Sequence, residues 1–462
     1  MDTKLLRQKI LDLAIRGKLV PQDPNDEPAS VLLEKIRVEK ERLIKEKKIK
    51  PDKKKGLDKS HYEKKVPFEV PENWEWLKIK DVFFINPKND LDDNLDVSFI
   101  PMQLISDEFT NEHKSEIRKW KDVKRGFTHF REGDIAVAKI TPCFENRKSV
   151  ILNNLEHHFG AGTTELHILR PILEPLLVNY TLCLIKSEYF INYGVSHFSG
   201  AVGQQRVGKN ILEETWFPLP PLSEQNRIVA EVERLFELID VIEESKRSLE
   251  QVIKQTKSKI LGLALSGKLV PQNPEEEPAS MLLERLRKNN KLKKTSDKSH
   301  YPFELPNGWE VTEMQNICSL LDGEKRNDLS LPYLDVKFLR NQSGINLKKS
   351  GKFVSAETNL VLVDGENSGE IFKTNIDGYQ GSTLKIIQIS EEINEEYIFY
   401  ILKKEHKLFK ESKTGSAIPH LNKKLFREYP IPLPPLAEQQ RIVFQIEKIF
   451  AQLEIIENSL KA

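Results

Sequence analysis

Between Leu222 and Leu265 the apolar positions keep helical spacing for longer than one domain needs. Ile228, Val232, Leu235, Ile239 and Ile242 are followed by Leu249, Ile253, Ile260 and Leu263. Steps of four and three, singly or summed to seven, hold an apolar seam on one face of a helix. Pro220 and Pro221 close the segment before it, and Gly267 stands as a C-terminal stop. At the usual rise such a helix is about 65 Å long, too long to be buried in a single domain, so its seam requires a partner.

The partner is written in the same chain. Pro432-Leu-Pro-Pro-Leu-Ala-Glu-Gln-Gln-Arg-Ile-Val443 repeats Pro218-Leu-Pro-Pro-Leu-Ser-Glu-Gln-Asn-Arg-Ile-Val229, and the seam resumes at Ile442, Ile446, Ile449, Leu453, Ile456 and Leu460. The second half of the central helix repeats at the other end, where Lys259-Ile-Leu-Gly-Leu-Ala-Leu-Ser-Gly-Lys-Leu-Val-Pro-Gln272 matches Lys9-Ile-Leu-Asp-Leu-Ala-Ile-Arg-Gly-Lys-Leu-Val-Pro-Gln22. On these alignments only Leu249 and Glu250 lack a counterpart. The C-terminus followed by the N-terminus is thus a second copy of the central helix, cut in two. The expectation is a circular pseudo-twofold arrangement in which two long helices pack antiparallel and the chain ends meet near the middle of one.

Between the repeats lies a different kind of sequence. Residues 3–16 read as a short helix stopped by Gly17, and a charged helix begins near Pro28 and runs to about Lys48. The lysine-rich run from Lys45 to Lys65 reads as a solvated linker or a nonspecific phosphate-binding arm. A shorter second connector, Met281 to Tyr301, ends in the same Lys-Ser-His-Tyr (59–62 and 298–301). Pro67-Phe-Glu-Val-Pro-Glu-Asn-Trp74 then opens one segment and Pro302-Phe-Glu-Leu-Pro-Asn-Gly-Trp309 the other, and each closes at its Pro-Leu-Pro-Pro element. Inside them, strand-like runs (134–140, 166–169, 360–363, 384–387) alternate with helix-like ones (Leu176 to Tyr193, Glu395 to Phe409), which predicts α+β domains. The two segments share little sequence. A duplicated frame with two divergent inserts suggests a scaffold that carries two readers with different targets.

Composition narrows the classes. The 462 residues allow two to four domains, and a formal net charge of +1 neither predicts nor excludes an anionic partner. Cys143, Cys183 and Cys318 lie far apart without metal-type spacing, as expected of reduced thiols in the cytoplasm. The first residues lack the apolar core of a signal peptide, and no run approaches membrane-span length.

Over essentially its whole length the chain resembles the specificity subunits of Type I restriction–modification systems. The resemblance rests on the paired Pro-Leu-Pro-Pro-Leu-x-Glu-Gln-x-Arg-Ile elements (218–228 and 432–442) and the paired Gly-Lys-Leu-Val-Pro-Gln elements (17–22 and 267–272). Residues 133–149 and 160–165 add to it, and residues 364–369 and 378–383 more loosely. It implies a division into an N-terminal helical segment and linker (1–66), a first target-recognition domain (67–221), and a central region with spacer helix and linker (222–301). A second target-recognition domain (302–435) and a C-terminal helix (436–462) follow. It further implies that each variable domain reads one half of a bipartite DNA site and that the antiparallel helices set the spacing. The frame would recruit two methyltransferase subunits and, in the full complex, two restriction/translocase subunits. S-adenosylmethionine, ATP and Mg²⁺ are then expected on those partners and no cofactor on this chain.

A search for chemistry agrees with a non-catalytic role. The Asn/Asp-Pro-Pro-aromatic tetrapeptide of adenine-N6 methylation is absent, and Asn86-Pro87-Lys88 stops short of it. Gly203-Gln-Gln-Arg-Val-Gly-Lys-Asn210 approaches a P-loop, but Asn210 replaces the Mg²⁺-binding hydroxyl and no strand-like run leads in. His157 and His158 show no triad or metal spacing.

DNA reading remains. Arg118, Lys119, Lys121, Lys124, Arg125 and Arg131 form a basic cluster suited to phosphates. Lys139, Thr141, Asn146, Arg147 and Lys148 flank the turn after a predicted strand, and Gln204, Gln205, Arg206 and Lys209 sit in a glycine-punctuated loop. Gln, Asn and Arg make bidentate contacts to adenine and guanine edges. In the second domain the comparable candidates are Arg340, Asn341, Gln342, Asn367, Ser368, Lys385, His420, Asn422, Lys423 and Lys424. The reading from another class is a coiled-coil scaffold whose variable domains bind proteins; salt-sensitive, sequence-selective binding of duplex DNA separates the two.

Overall fold

The computed structural model describes residues 2–46, 66–173, 178–201, 203–288, 304–412, 414 and 419–461. Nearly all of the lysine-rich run, both Lys-Ser-His-Tyr elements and residues 415–418 lie outside the described residues. Packing divides the chain into two compact units, Met1–Ser245 and Lys246–Ala462. The five-part division drawn from the sequence follows the repeats instead, so the two schemes cut the chain at different places.

Leu222–Leu265 is one continuous helix of 44 residues. In the first unit its opening half packs against the N-terminal helix Thr3–Ile15, with Ile10, Leu11, Ala14 and Ile15 in one core with Ile228, Val232 and Ile239. Arg7 donates to Asp240 (2.7 Å) and Glu243 (3.4 Å), while Gln22 donates to Glu224, so the two stretches run antiparallel. In the second unit Ile260, Leu261, Ala264 and Leu265 share a core with Ile442 and Ile446 of the C-terminal helix Leu436–Lys461. There Lys257 pairs with Glu457 at 2.9 Å. On the sequence alignments Lys257 corresponds to Arg7 and Glu457 to Glu243, so the two units repeat the same ion pair.

The seam is not buried throughout. Ile228, Val232, Ile239, Ile253, Ile260, Ile442 and Ile446 are buried, and Leu235, Ile449, Leu453 and Leu460 are half-buried. Ile242, Leu249 and Ile456 are 43%, 38% and 43% exposed, which corrects the expectation of a continuous buried seam. Ile242 and Ile456 stand beside the ion pair of each unit, one residue before Glu243 and Glu457.

The repeated motifs meet in a knot in each unit. Glu224 is fully buried and accepts from Trp74 Nε1 (2.8 Å) and Gln22 Nε2. Glu438 is buried likewise and accepts from Trp309 Nε1 (3.0 Å) and Gln272 Nε2 (3.1 Å). Beside them Gln225 and Gln439 donate to the carbonyls of Pro220 and Pro434, and Tyr180 and Tyr397 donate to those of Pro218 and Pro432. Arg227 pairs with Asp26 as Arg441 pairs with Glu276. Gly17 and Gly267 both take φ +66°, and a Cβ on either would run into Pro71 or Pro306. The Gly…Pro-Gln, Pro-x-x-Trp and Leu-x-Glu-Gln-x-Arg elements are therefore three parts of one packing device.

From the knot each variable domain leaves on one strand and returns on its neighbour. Strand β1 (Glu75–Lys78) pairs antiparallel with β10 (Trp216–Leu219), and β11 (Glu310–Glu313) pairs with β21 (Pro430–Leu433). In the first domain β2 (Phe83–Ile85), β9 (Leu166–Pro171), β6 (Ile135–Ala138) and β7 (Ser149–Ile151) form one sheet in that order. A second sheet runs β4 (Glu116–Lys119), β3 (Asp96–Ile100), β8 (Phe159–Gly162) and β5 (Thr128–Arg131), with β3 and β8 parallel. The second domain repeats the first sheet and enlarges the second by one strand, β13 (Glu324–Arg326). One sheet is β12 (Cys318–Leu321), β20 (Leu384–Ile389), β17 (Asn359–Leu362), β18 (Ile371–Lys373). The other is β13 (Glu324–Arg326), β16 (Gly351–Val354), β19 (Gly378–Gln380), β14 (Leu331–Leu334), β15 (Leu347–Lys348), with β14 and β19 parallel. Two sequences with little in common thus share one topology. The helix expected from Leu176 to Tyr193 is described as two, Val178–Lys186 and Glu188–Ser196, because the Ser187 hydroxyl caps the second by accepting from Phe190 N.

Candidate nucleic-acid interface

In each domain three loops are tied together beyond the end of one inner strand. In the first, Lys139 N donates to Glu165 O (3.0 Å), Val207 N to Lys139 O (2.9 Å) and Thr141 N to Gln205 O (3.0 Å). These bonds join the turn after β6, the turn between β8 and β9, and the loop before the helix Lys209–Glu214. In the second, Val363 N donates to Thr383 O, Leu421 N to Val363 O and Gly365 N to Pro419 O, each at 2.8 Å. Arg206 and His420 consequently occupy matching places, each in a two-way backbone bridge, to Ser199 and to Thr414 respectively.

Both side chains are held by carboxylates. Arg206 donates from Nε and Nη2 to the two oxygens of Glu165, both at 2.9 Å, and the guanidinium holds that carboxyl below its ordinary range. His420 Nδ1 lies 2.7 Å from Asp364 Oδ1. Around the first couple Gln204 and Lys209 are exposed and Thr141 and Gln205 half-buried, and Lys209 pairs with Glu213. Asn146 is exposed, and Lys148 Nζ donates to the Ile105 carbonyl (2.7 Å) beside a polar groove of about 1080 Å³. Around the second, Lys423 and Lys424 are exposed, whereas Asn422 caps its helix by accepting from Leu425 N. Asn367 is half-buried, Asn341 and Gln342 are exposed, and Arg340 pairs with Glu370. Lys385 is bound to Asp322, whose carboxyl it and Lys352 hold well below the usual range.

Two expected contacts are corrected. Arg147 is buried: its Nε donates to the Lys186 carbonyl (3.0 Å) and its guanidinium pairs with Glu188, so it fastens the turn from inside. Ser368 has no exposed surface, because the backbone of its turn folds inward with Ser368 N donating to Gly365 O. Lys186, unrecognised in the sequence, is the companion of Arg147. It is buried, donates to the carbonyls of Glu108 and Arg147, and is pushed down to about 7 by burial and by the Arg147 charge. Glu165 and Asp364, which bind Arg206 and His420, were not singled out in the sequence; their signal was only their place in glycine-rich segments.

The basic cluster lies on β4 and the turn that follows. Arg118 pairs with Glu116 and stacks over Phe99, Lys119 pairs with Asp96, and Lys124 with Asp93. Lys121 and Arg125 are exposed, and Arg131 is half-buried on β5. Among the described residues no group of three or more His, Cys, Asp or Glu side chains could hold a metal ion, and no helix is long and apolar enough to cross a membrane.

Each unit thus carries a copy of one helical frame and an α+β domain of closely similar topology with a polar three-loop edge. The chain belongs to the family of Type I restriction modification DNA specificity domains, whose profile matches residues 71–251 and 306–462. It is 39% identical over 419 residues to the specificity subunit of the Type I restriction enzyme EcoAI of Escherichia coli, across 79% of this chain and 70% of that protein. It is 35% identical over 543 residues to the EcoEI specificity subunit of the same organism, across 99% of this chain and 91% of that protein. Among solved structures the fold is similar to a chain from an assembled type I R-M system (TM-score 0.64, 19% identity, 86% of this chain and 94% of that one). It is similar also to the HsdS subunit of Thermoanaerobacter tengcongensis (TM-score 0.54, 18% identity, 85% and 93%).

Proposed function

We propose that the chain is the DNA-reading subunit of a Type I restriction–modification complex, with each domain reading one half of a bipartite duplex site. The observation that carries this reading is the matched pair of three-loop edges: one geometry, with different side chains at equivalent places. Two readers of two different half-sites need that combination. Phosphate contacts come from the β4 cluster, where Lys121 and Arg125 are exposed. The frame recruits two methyltransferase subunits and, in the full complex, two restriction/translocase subunits, all in the cytoplasm. Those partners bind S-adenosylmethionine, ATP and Mg²⁺; this chain contributes no catalytic residue and supplies position and sequence choice.

The test is competition binding by the chain assembled with its methyltransferase subunits. Expected is salt-sensitive binding that prefers duplexes carrying a split motif over scrambled ones. Equal affinity for all duplexes, with retention of a protein ligand by the variable domains, would favour the assembly-scaffold reading.

A further inference from the structure

The proposed reading leaves open which atoms at each three-loop edge do the discriminating, and two couples stand out. Arg206 and His420 sit at the same place in the topology, each followed by a buried apolar residue, Val207 or Leu421, whose N–H is tied to the strand turn. Each reaches across to a carboxylate carried on a different loop. Glu165 comes from the β8–β9 turn and Asp364 from the turn after β17. The carboxylate therefore changes its place in the chain while the couple keeps its place in the fold. Neither couple is sealed away: the Arg206 and Glu165 side chains are 39% and 26% exposed, and His420 and Asp364 50% and 41%.

Resting on the DNA-reading proposal, we infer that Glu165 with Arg206, and Asp364 with His420, are the equivalent reading couples of the two domains, each holding a nitrogen-bearing side chain and a carboxylate side by side for one base pair. The chemistry fits base edges. A guanidinium N–H donates to guanine O6 or N7, the imidazole nitrogen left over from the carboxylate pairs with a base-edge group of opposite kind, and a carboxylate oxygen accepts from the exocyclic amine of cytosine or adenine. A bare carboxylate near phosphates would be repelled; that of Glu165, whose charge is met by the Arg206 guanidinium, is not. The two-oxygen grip on Arg206, together with Nη1 donating to the Gln204 carbonyl (2.9 Å), fixes the plane of the guanidinium before DNA arrives and leaves one N–H on each terminal nitrogen for a base. Glu165 and Asp364 thereby become specificity-determining residues rather than background acids.

The experiment uses the chain assembled with its methyltransferase subunits. It compares a duplex carrying the motif methylated in cells with duplexes altered by one base pair in either half. Arg206→Ala and Glu165→Gln are each expected to reduce discrimination in a single half-site by about ten- to a hundredfold. The other half-site and the melting temperature stay unchanged. His420→Ala and Asp364→Asn are expected to do the same in the other half. If Arg206→Ala lowers the melting temperature, Arg206→Lys, which keeps the charge but not the fork, carries the same expectation. A double exchange, Glu165→Arg with Arg206→Glu, keeps an ion pair between the loops and is expected to leave the domain without discrimination. Wild-type discrimination in the exchanged variant would make the couple a mere loop tie and overturn the inference. So would equal weakening on all duplexes, the behaviour of a phosphate clamp. A wild-type complex that shows no sequence preference sinks the proposed function as well, whereas variants that keep the wild-type preference sink only the couples.

Discussion

A carboxylate without exposed surface is costly unless its oxygens find donors. Glu224 finds Trp74 and Gln22, yet burial still raises its carboxyl above the ordinary range. Trp74→Phe keeps a ring and removes one donor, with an expected cost of about 1.5–3 kcal/mol. That corresponds to a fall of about 3–12 °C in melting temperature for a unit of this size; an unchanged transition would mean the bond does not matter. Lys186 gives a prediction in pH. Its amine is depressed, so its contribution to stability is present above the ordinary lysine value of 10.5 and is lost as pH falls toward about 7. Urea midpoints of the wild-type chain are expected to decline over that window, and Lys186→Met to lack that part of the slope. Identical slopes for the two would contradict the assignment of a buried, depressed amine.

At the scale of elements, the β4 cluster and the three-loop edges have different tasks. Lys121→Glu with Lys124→Glu is expected to weaken binding to matched and unmatched duplexes about equally, lowering the salt slope by about 1 for each phosphate left without its lysine. Relaxed discrimination at full affinity would contradict that role. What the sequence could and could not announce divides along the same line. The helix Leu222–Leu265 was legible because its seam is periodic over many turns, and the knot because its parts occur twice. The common topology was not: β3 pairs with β8, and β14 with β19, across long stretches of chain, and the partners share backbone geometry rather than side chains. Arg147 looked like a reader because nothing in a sequence tells an inward arginine from an outward one when its partner, Glu188, lies 41 residues on. Ile242, Leu249 and Ile456 looked buried because periodicity marks the face of a helix, not how fully each position on it is covered.

For the whole molecule, the proposed function makes the long helix a ruler, the element that sets the distance between the two half-sites. Inserting one heptad into the central helix and one into its sequence counterpart keeps the seam in phase and adds about 10 Å. The recognised spacer is expected to grow by about three base pairs while both half-sites stay the same. An unchanged spacer would remove the ruler from the account. Under the proposed function this chain selects a bipartite DNA sequence for partners that carry the chemistry. Methylome sequencing of cells that hold the partner subunits, with and without this chain, checks that selection in place. A split, adenine-methylated motif is expected to appear with the chain and vanish without it. Methylation that persists unchanged in its absence, or an undivided motif in its presence, would contradict the account.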